Sequence, residues 1–95
     1  MITLENSIIQ KRLTYQQLNF LEQIQESIGL NLNFYGSICR DDFFKGKSDI
    51  DIDILSPNVQ STLFKLRQIL SIPNNEVIHV TWSCNNPSKY KFECI

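Results

Sequence analysis

Ser48-Asp49-Ile50-Asp51-Ile52-Asp53-Ile54-Leu55 is the stretch on which the fold turns. Polar and apolar residues alternate strictly along it, the period of a half-buried strand. In a strand, residues i, i+2 and i+4 share one face. Ile50, Ile52 and Ile54 therefore enter a core, and Asp49, Asp51 and Asp53 project together from the opposite side. Neighbouring carboxylates on that side stand about 6–7 Å apart. At an effective dielectric near 20, each adjacent pair repels by roughly 2 kcal/mol. Without a cation such a face costs stability; with a divalent ion between two of the carboxylates, the same spacing makes a site. A calcium loop of the EF-hand kind is excluded. Counting Asp49 as the first position, it needs glycine at the sixth, where Ile54 stands, and glutamate at the twelfth, where Gln60 stands.

Helical patterns flank this strand. Upstream, Thr14 with Gln17 three residues later forms a capping box. Leu18, Leu21, Ile24 and Ile28 follow at helical spacing, and Gly29 offers a left-handed C-cap. Asn31–Ser37, NLNFYGS, reads as a short strand ending at Gly36 and Ser37, and CRDDFFKGK as a charged loop. Downstream, Ser56 and Pro57 read as N-cap and first helical residue. Val59, Leu63, Leu66 and Leu70 then line one helix face, and Pro73-Asn74-Asn75 ends it. EVIHVTWS is a strand, NNPS a turn at Asn85 to Ser88, and KYKFECI a last strand paired with the one before. The first thirteen residues form an arm, helical or packed, around Ile2, Leu4, Ile8, Ile9 and Leu13. The order arm–α–β–loop–β–α–β–β gives an α+β fold, a small mixed sheet covered by two main helices.

Composition narrows the function classes. The 95 residues fit one domain and leave no room for a second. Hydrophobic residues make up 42% and charged residues 20%, a globular balance. A net charge of −1 argues against a nucleic-acid binder held by bulk electrostatics and against a polybasic membrane surface. No apolar run reaches the ~18–20 residues of a membrane span, and Glu5 and Asn6 interrupt any signal-like N-terminus. Cys39, Cys84 and Cys94 are odd in number and widely spaced, which points to a reducing, cytoplasmic setting rather than a disulfide framework. With His79 as the one histidine, a zinc site from these four residues fits no known spacing.

The turn before the acidic strand adds chemistry. At Phe34-Tyr35-Gly36-Ser37, glycine lets the backbone approach a ligand closely. Free backbone N–H groups and the Ser37 hydroxyl can cradle a phosphate, with Arg40 in reach of the same phosphates. Residues 38–48, eleven in all, separate Ser37 from Asp49. Gly-Ser, a loop of this length, and Asp-Ile-Asp-Ile together resemble the shared pattern of polymerase-beta-like nucleotidyltransferases. The closer likeness is to the stand-alone minimal group, whose form Gly-Ser-x-x-Arg…Ser-Asp-Ile-Asp is met by Gly36, Ser37, Arg40, Ser48, Asp49, Ile50 and Asp51. The motifs cover residues 34–55, and the element order extends the likeness over most of the chain. Where that pattern has glycine after the arginine, this chain has Asp41.

The resemblance implies a minimal nucleotidyltransferase fold and transfer of a nucleoside monophosphate from an NTP, with ATP the expected donor, to a hydroxyl acceptor. Asp49, Asp51 and a third carboxylate would hold two Mg²⁺ ions, with Mn²⁺ as a substitute. Glu93 on the last strand is the preferred third group and Glu76 the other candidate. Asp51 with Asp53 is a second register that the pattern permits, with Asp53 otherwise an extra acid on the face. Gly36, Ser37, Arg40 and Ser48 would contact the nucleotide. The acceptor could be a nucleic acid or a partner protein. Small members of the group act beside a toxin-like partner, so an antitoxin-like subunit, protein-modifying or purely binding, is the alternative function. His79, Trp82 and Tyr90 read as packed residues. Lys45 and Lys47 read as loop cations, and Phe43 and Phe44 as residues that fold back or meet a partner.

Overall fold

The computed structural model describes residues 2–70, 79–82 and 89–95. In chain order the elements are β1 (Ile2–Thr3), α1 (Ser7–Arg12), α2 (Tyr15–Ile28), β2 (Asn33–Tyr35), a single 3-10 turn (Gly36–Cys39), β3 (Ile50–Ile54), α3 (Val59–Leu70), β4 (His79–Trp82) and β5 (Tyr90–Cys94). The fold is α+β. The strands form one mixed sheet in the order β1-β2-β3-β5-β4. β2 and β3 are antiparallel, β3 and β5 parallel, and β4 returns antiparallel to β5 at the far edge. The parallel step follows from the helix between β3 and the last two strands, since parallel neighbours need a crossover rather than a hairpin.

Local sequence accounts for the helices. Thr14 and Gln17 exchange both bonds of the capping box, and Gly29 closes α2 at φ +68°. Leu21, Ile24 and Ile28 are buried and Leu18 packs at the margin. α3 buries Leu63, Leu66 and Leu70 with Val59 at its rim, as the periodicity requires. Its start differs from the sequence expectation. Asn58, not Ser56, caps it: the Asn58 side chain accepts from the Ser61 N–H at 3.0 Å, and its carbonyl accepts from Thr62. Ser56 is instead tied to the strand ends, through Ile54 and Ile95. Pro57 therefore precedes the cap, and the helix begins at Val59.

The N-terminal arm resolves into two elements. Ile2 and Thr3 extend the sheet beside β2, and Asn6 caps α1 through its side-chain oxygen. α1 is the helical alternative for the arm, added to the two main helices. Ile9, Leu4 and Leu13 bury it in the common core, and Arg12 fastens it to the Ile38 carbonyl at 2.7 Å.

One face of the sheet holds that core. Ile50, Ile52 and Ile54 are fully buried with Phe34, Tyr90, Phe92 and Cys94, under α2 and α3. Phe20 of α2 lies 4.9 Å from the Tyr90 ring, so Tyr90 is a packed residue. Burying a side chain of this size contributes about 1.5–3 kcal/mol. The opposite face is only partly covered, and it carries Asp51, Asp53, Lys91 and Glu93. Glu76, Cys84, Pro73-Asn74-Asn75 and the Asn85–Ser88 turn lie outside the described residues, as do the side chains of His79 and Trp82. Among the described residues, no helix is long and apolar enough to cross a membrane.

Candidate functional site

The acidic strand and the glycine-serine corner meet. The antiparallel register sets Tyr35 opposite Asp51, so Gly36 follows immediately beside the Asp51 carboxylate. Gly36 has φ +72°, a backbone state that side chains rarely adopt. A Cβ built on it would stand 2.5 Å from Asp51 Oδ2. The backbone state favours glycine here, and a side chain would also push the tip of the Asp51 carboxylate aside. Ser37 closes the corner from the other side, its hydroxyl donating to the Asp49 carbonyl at 3.2 Å.

Asp49 stands one residue before β3, and the start of β5 with the residue before it engages both its oxygens. Oδ1 accepts from the Lys89 backbone N–H at 3.1 Å, and Oδ2 faces Lys91 Nζ at 3.5 Å. This pair is partly exposed, so its contribution to stability is modest. It matters more for where charge sits: the first aspartate of the motif already has a cation beside it.

Glu93 lies on the same open face, but its register partner in β3 is Asp53, while Lys91 stands opposite Asp51. On its other side Glu93 is aligned with His79 of β4. The Asp53 carboxyl is held above its ordinary range, first by burial and then by repulsion from Glu93 and Asp51. The Tyr35 phenol is raised as well, by burial and then by Asp53, Asp51 and Glu93. Negative charge is therefore concentrated around Asp51, Asp53 and Glu93, with Asp49 offset by Lys91. Among the described residues, no group of three or more His, Cys, Asp or Glu side chains stands close enough to hold one metal ion.

The remaining candidates are nearby in sequence and engaged locally. Arg40 is exposed and pairs with Asp42 at 3.3 Å, an interaction weak enough to be exchanged for another anion. Ser48 closes the loop, its hydroxyl accepting from the Phe44 N–H at 2.9 Å while its own N–H bonds the Phe44 carbonyl. Phe43 packs against the core, whereas Phe44 is exposed, with Lys47 Nζ 4.9 Å above its ring. Sequence reading did not single out Lys91 or Tyr35. Lys89, Lys91 and Glu93 alternate with Tyr90 and Phe92, so period-2 reading puts them on the acidic side. Only the parallel register fixes which aspartate each one meets.

Comparison with protein-family models, with curated proteins and with solved structures gives no match to this chain.

Proposed function

We propose that the chain is a nucleotidyltransferase domain, moving a nucleoside monophosphate from an NTP to an acceptor hydroxyl. The observation that carries this reading is the fit of Asp51 against Gly36. Glycine, favoured at this turn by φ +72° alone, leaves the backbone of the corner open beside the Asp51 carboxylate, where a cation-bridged phosphate would lie.

Asp49 and Asp51 are the residues that would hold Mg²⁺ or Mn²⁺. A bound divalent ion offsets phosphate charge and stabilises the departing pyrophosphate. The Gly36–Ser37 corner holds the phosphates, and Arg40 turns from Asp42 to meet them. Ser48 keeps the intervening loop closed. The acceptor oxygen attacks the α-phosphorus, the bond to the β-phosphate oxygen breaks, and pyrophosphate leaves. The acceptor's proton passes to a carboxylate of the Asp53–Glu93 pair. Burial keeps Asp53 more basic than an ordinary aspartate, which suits that role.

The test is a melt with each of the four NTPs and Mg²⁺, followed by transfer of label from α-labelled nucleotide. A nucleotide at about 100 times its Kd stabilises by ~2.7 kcal/mol. For a domain of this size that raises Tm by about 10 °C or more. Asp51→Asn should lose both the shift and the transfer. No shift with any NTP at millimolar concentration overturns the proposal.

A second reading is favoured by a different observation. Ile2, Tyr35, Leu55 and Ile95 are exposed and apolar, and with Asp53 they line a depression of about 140 Å³ on the open face. An antitoxin-like subunit would use such a rim to bind a partner protein. Neutralisation of a partner without Mg²⁺ supports this binding role. Its loss in Asp49→Asn supports transfer onto the partner.

A further inference from the structure

We infer that Lys91 takes the place of the third carboxylate, so that the site holds one divalent cation, with the Lys91 ammonium as its second fixed positive charge. This rests on the nucleotidyltransferase reading and refines it.

The argument begins with the rows of the sheet. Side chains directly across neighbouring strands stand about 4.8 Å apart, and each further pair of residues along a strand adds roughly 6.6 Å. β5 runs parallel to β3, with Lys91 opposite Asp51 and Glu93 opposite Asp53. A carboxylate at position 91 would face Asp51 directly and be one step from Asp49. Glu93 is one step beyond Asp51 and two steps, about 13 Å, beyond Asp49. Mg²⁺ binds oxygens at ~2.0–2.1 Å. Asp49 and Glu93 therefore cannot share an ion, and for the Asp49–Asp51 pair the row that would supply a third ligand supplies an ammonium.

That ammonium is engaged with the site. Lys91 Nζ lies 3.5 Å from Asp49 Oδ2, and the neighbouring Lys89 N–H takes the other oxygen. The formal charge of Asp49, Asp51 and Lys91 together is −1; a carboxylate at position 91 would make it −3. One divalent ion suits the first total. A second would have to approach a lysine, with no oxygen ligand from that row to offset the repulsion. The triphosphate is strongly anionic, and a single ion together with the ammonium beside Asp49 would offset its charge.

Binding of Mn²⁺ alone, counted by the loss of the free-ion paramagnetic signal, tests this without reference to activity. Wild type should bind one Mn²⁺ per chain. Lys91→Asp should bind two, or bind the first about tenfold more tightly. Lys91→Met, which keeps the aliphatic stem, should still bind one, several-fold more tightly. Lys65→Asp makes the same charge change on the exposed side of α3 and should leave the count at one. Circular dichroism confirms that each variant is folded.

Two Mn²⁺ on wild type, both lost in Asp51→Asn, overturn the role of Lys91 and leave the nucleotidyltransferase reading standing. That role is equally overturned if Lys91→Asp matches wild type in count and affinity. If neither wild type nor Lys91→Asp binds Mn²⁺ and no NTP shifts the melt, the reading of the site falls and this inference falls with it.

Discussion

Asp51 and Ile52 are neighbours on β3 and answer to different physics. Ile52 points into a core where Ile50, Ile54, Phe34 and Phe92 leave it no exposure. Its energy comes from area removed from water and from close packing, and any apolar residue of similar shape would serve. Asp51 points the other way. It is held by register and by the missing side chain of Gly36, among charges that repel it. The helix-covered face makes the strand stable, and the open face spends part of that stability on a concentration of carboxylates. A five-residue strand can do both because alternate side chains never share a side.

Removing a core residue should have the largest effect. Ile52→Ala should cost about 2–5 kcal/mol, read as a lower midpoint in urea. If the two faces are independent, the variant that remains folded should show the same Mg²⁺-nucleotide affinity that the proposed function assigns to wild type. A parallel loss of affinity would break the separation drawn between the faces.

Next in size is the glycine that joins the faces. Gly29 and Gly36 have nearly the same φ, +68° and +72°, but a Cβ on Gly29 meets nothing within 4 Å. Gly29→Ala should therefore report backbone strain alone, about 1–2 kcal/mol. Gly36→Ala should exceed it, because the Asp51 carboxylate must move away. In an Asp51→Ala background the excess should vanish, since the nearest clash is with the carboxylate oxygen. An excess that persists there would mean that Gly36 serves the backbone and not the site.

The smallest effect concerns the open face by itself. Asp53 is raised from the ordinary value of 3.8, so its charged form is disfavoured in the folded state relative to the unfolded one. That cost is fully present above the folded value and disappears below the unfolded value. Asp53→Asn should thus raise Tm slightly at neutral pH, and the gain should fade as pH falls toward about 3.8 and be absent below it. Tm measured across that window decides it, and a gain that grows toward low pH would contradict the repulsion from Glu93 and Asp51.

Much of the fold was legible in the chain. The capping box at Thr14 and Gln17, the closing Gly29, the stripe on α3 and the alternation of β3 are local signals, set by residues within one or two turns of each other. α1 was less legible because its apolar residues are few and only the finished core shows which are buried. The start of α3 was open to misreading because Ser56 and Asn58 are both good caps. The bond from Ser56 to Ile95, a residue far along the chain, decided between them.

For the candidate site, the sequence by itself determined which residue types lie close together along the chain. It put carboxylates on one side of a strand and a glycine-serine turn eleven residues before them, because side-chain alternation and glycine's freedom are local properties. Only the tertiary structure decided the pairing. The parallel docking of β5 set Lys91 beside the first acids and Glu93 beside Asp53. A shift of two residues in that register would have kept every side chain on its face and exchanged lysine for glutamate at Asp51. The pattern along a strand fixes which side a residue takes; which partner it meets there depends on how distant segments align, and that is settled only when they pack.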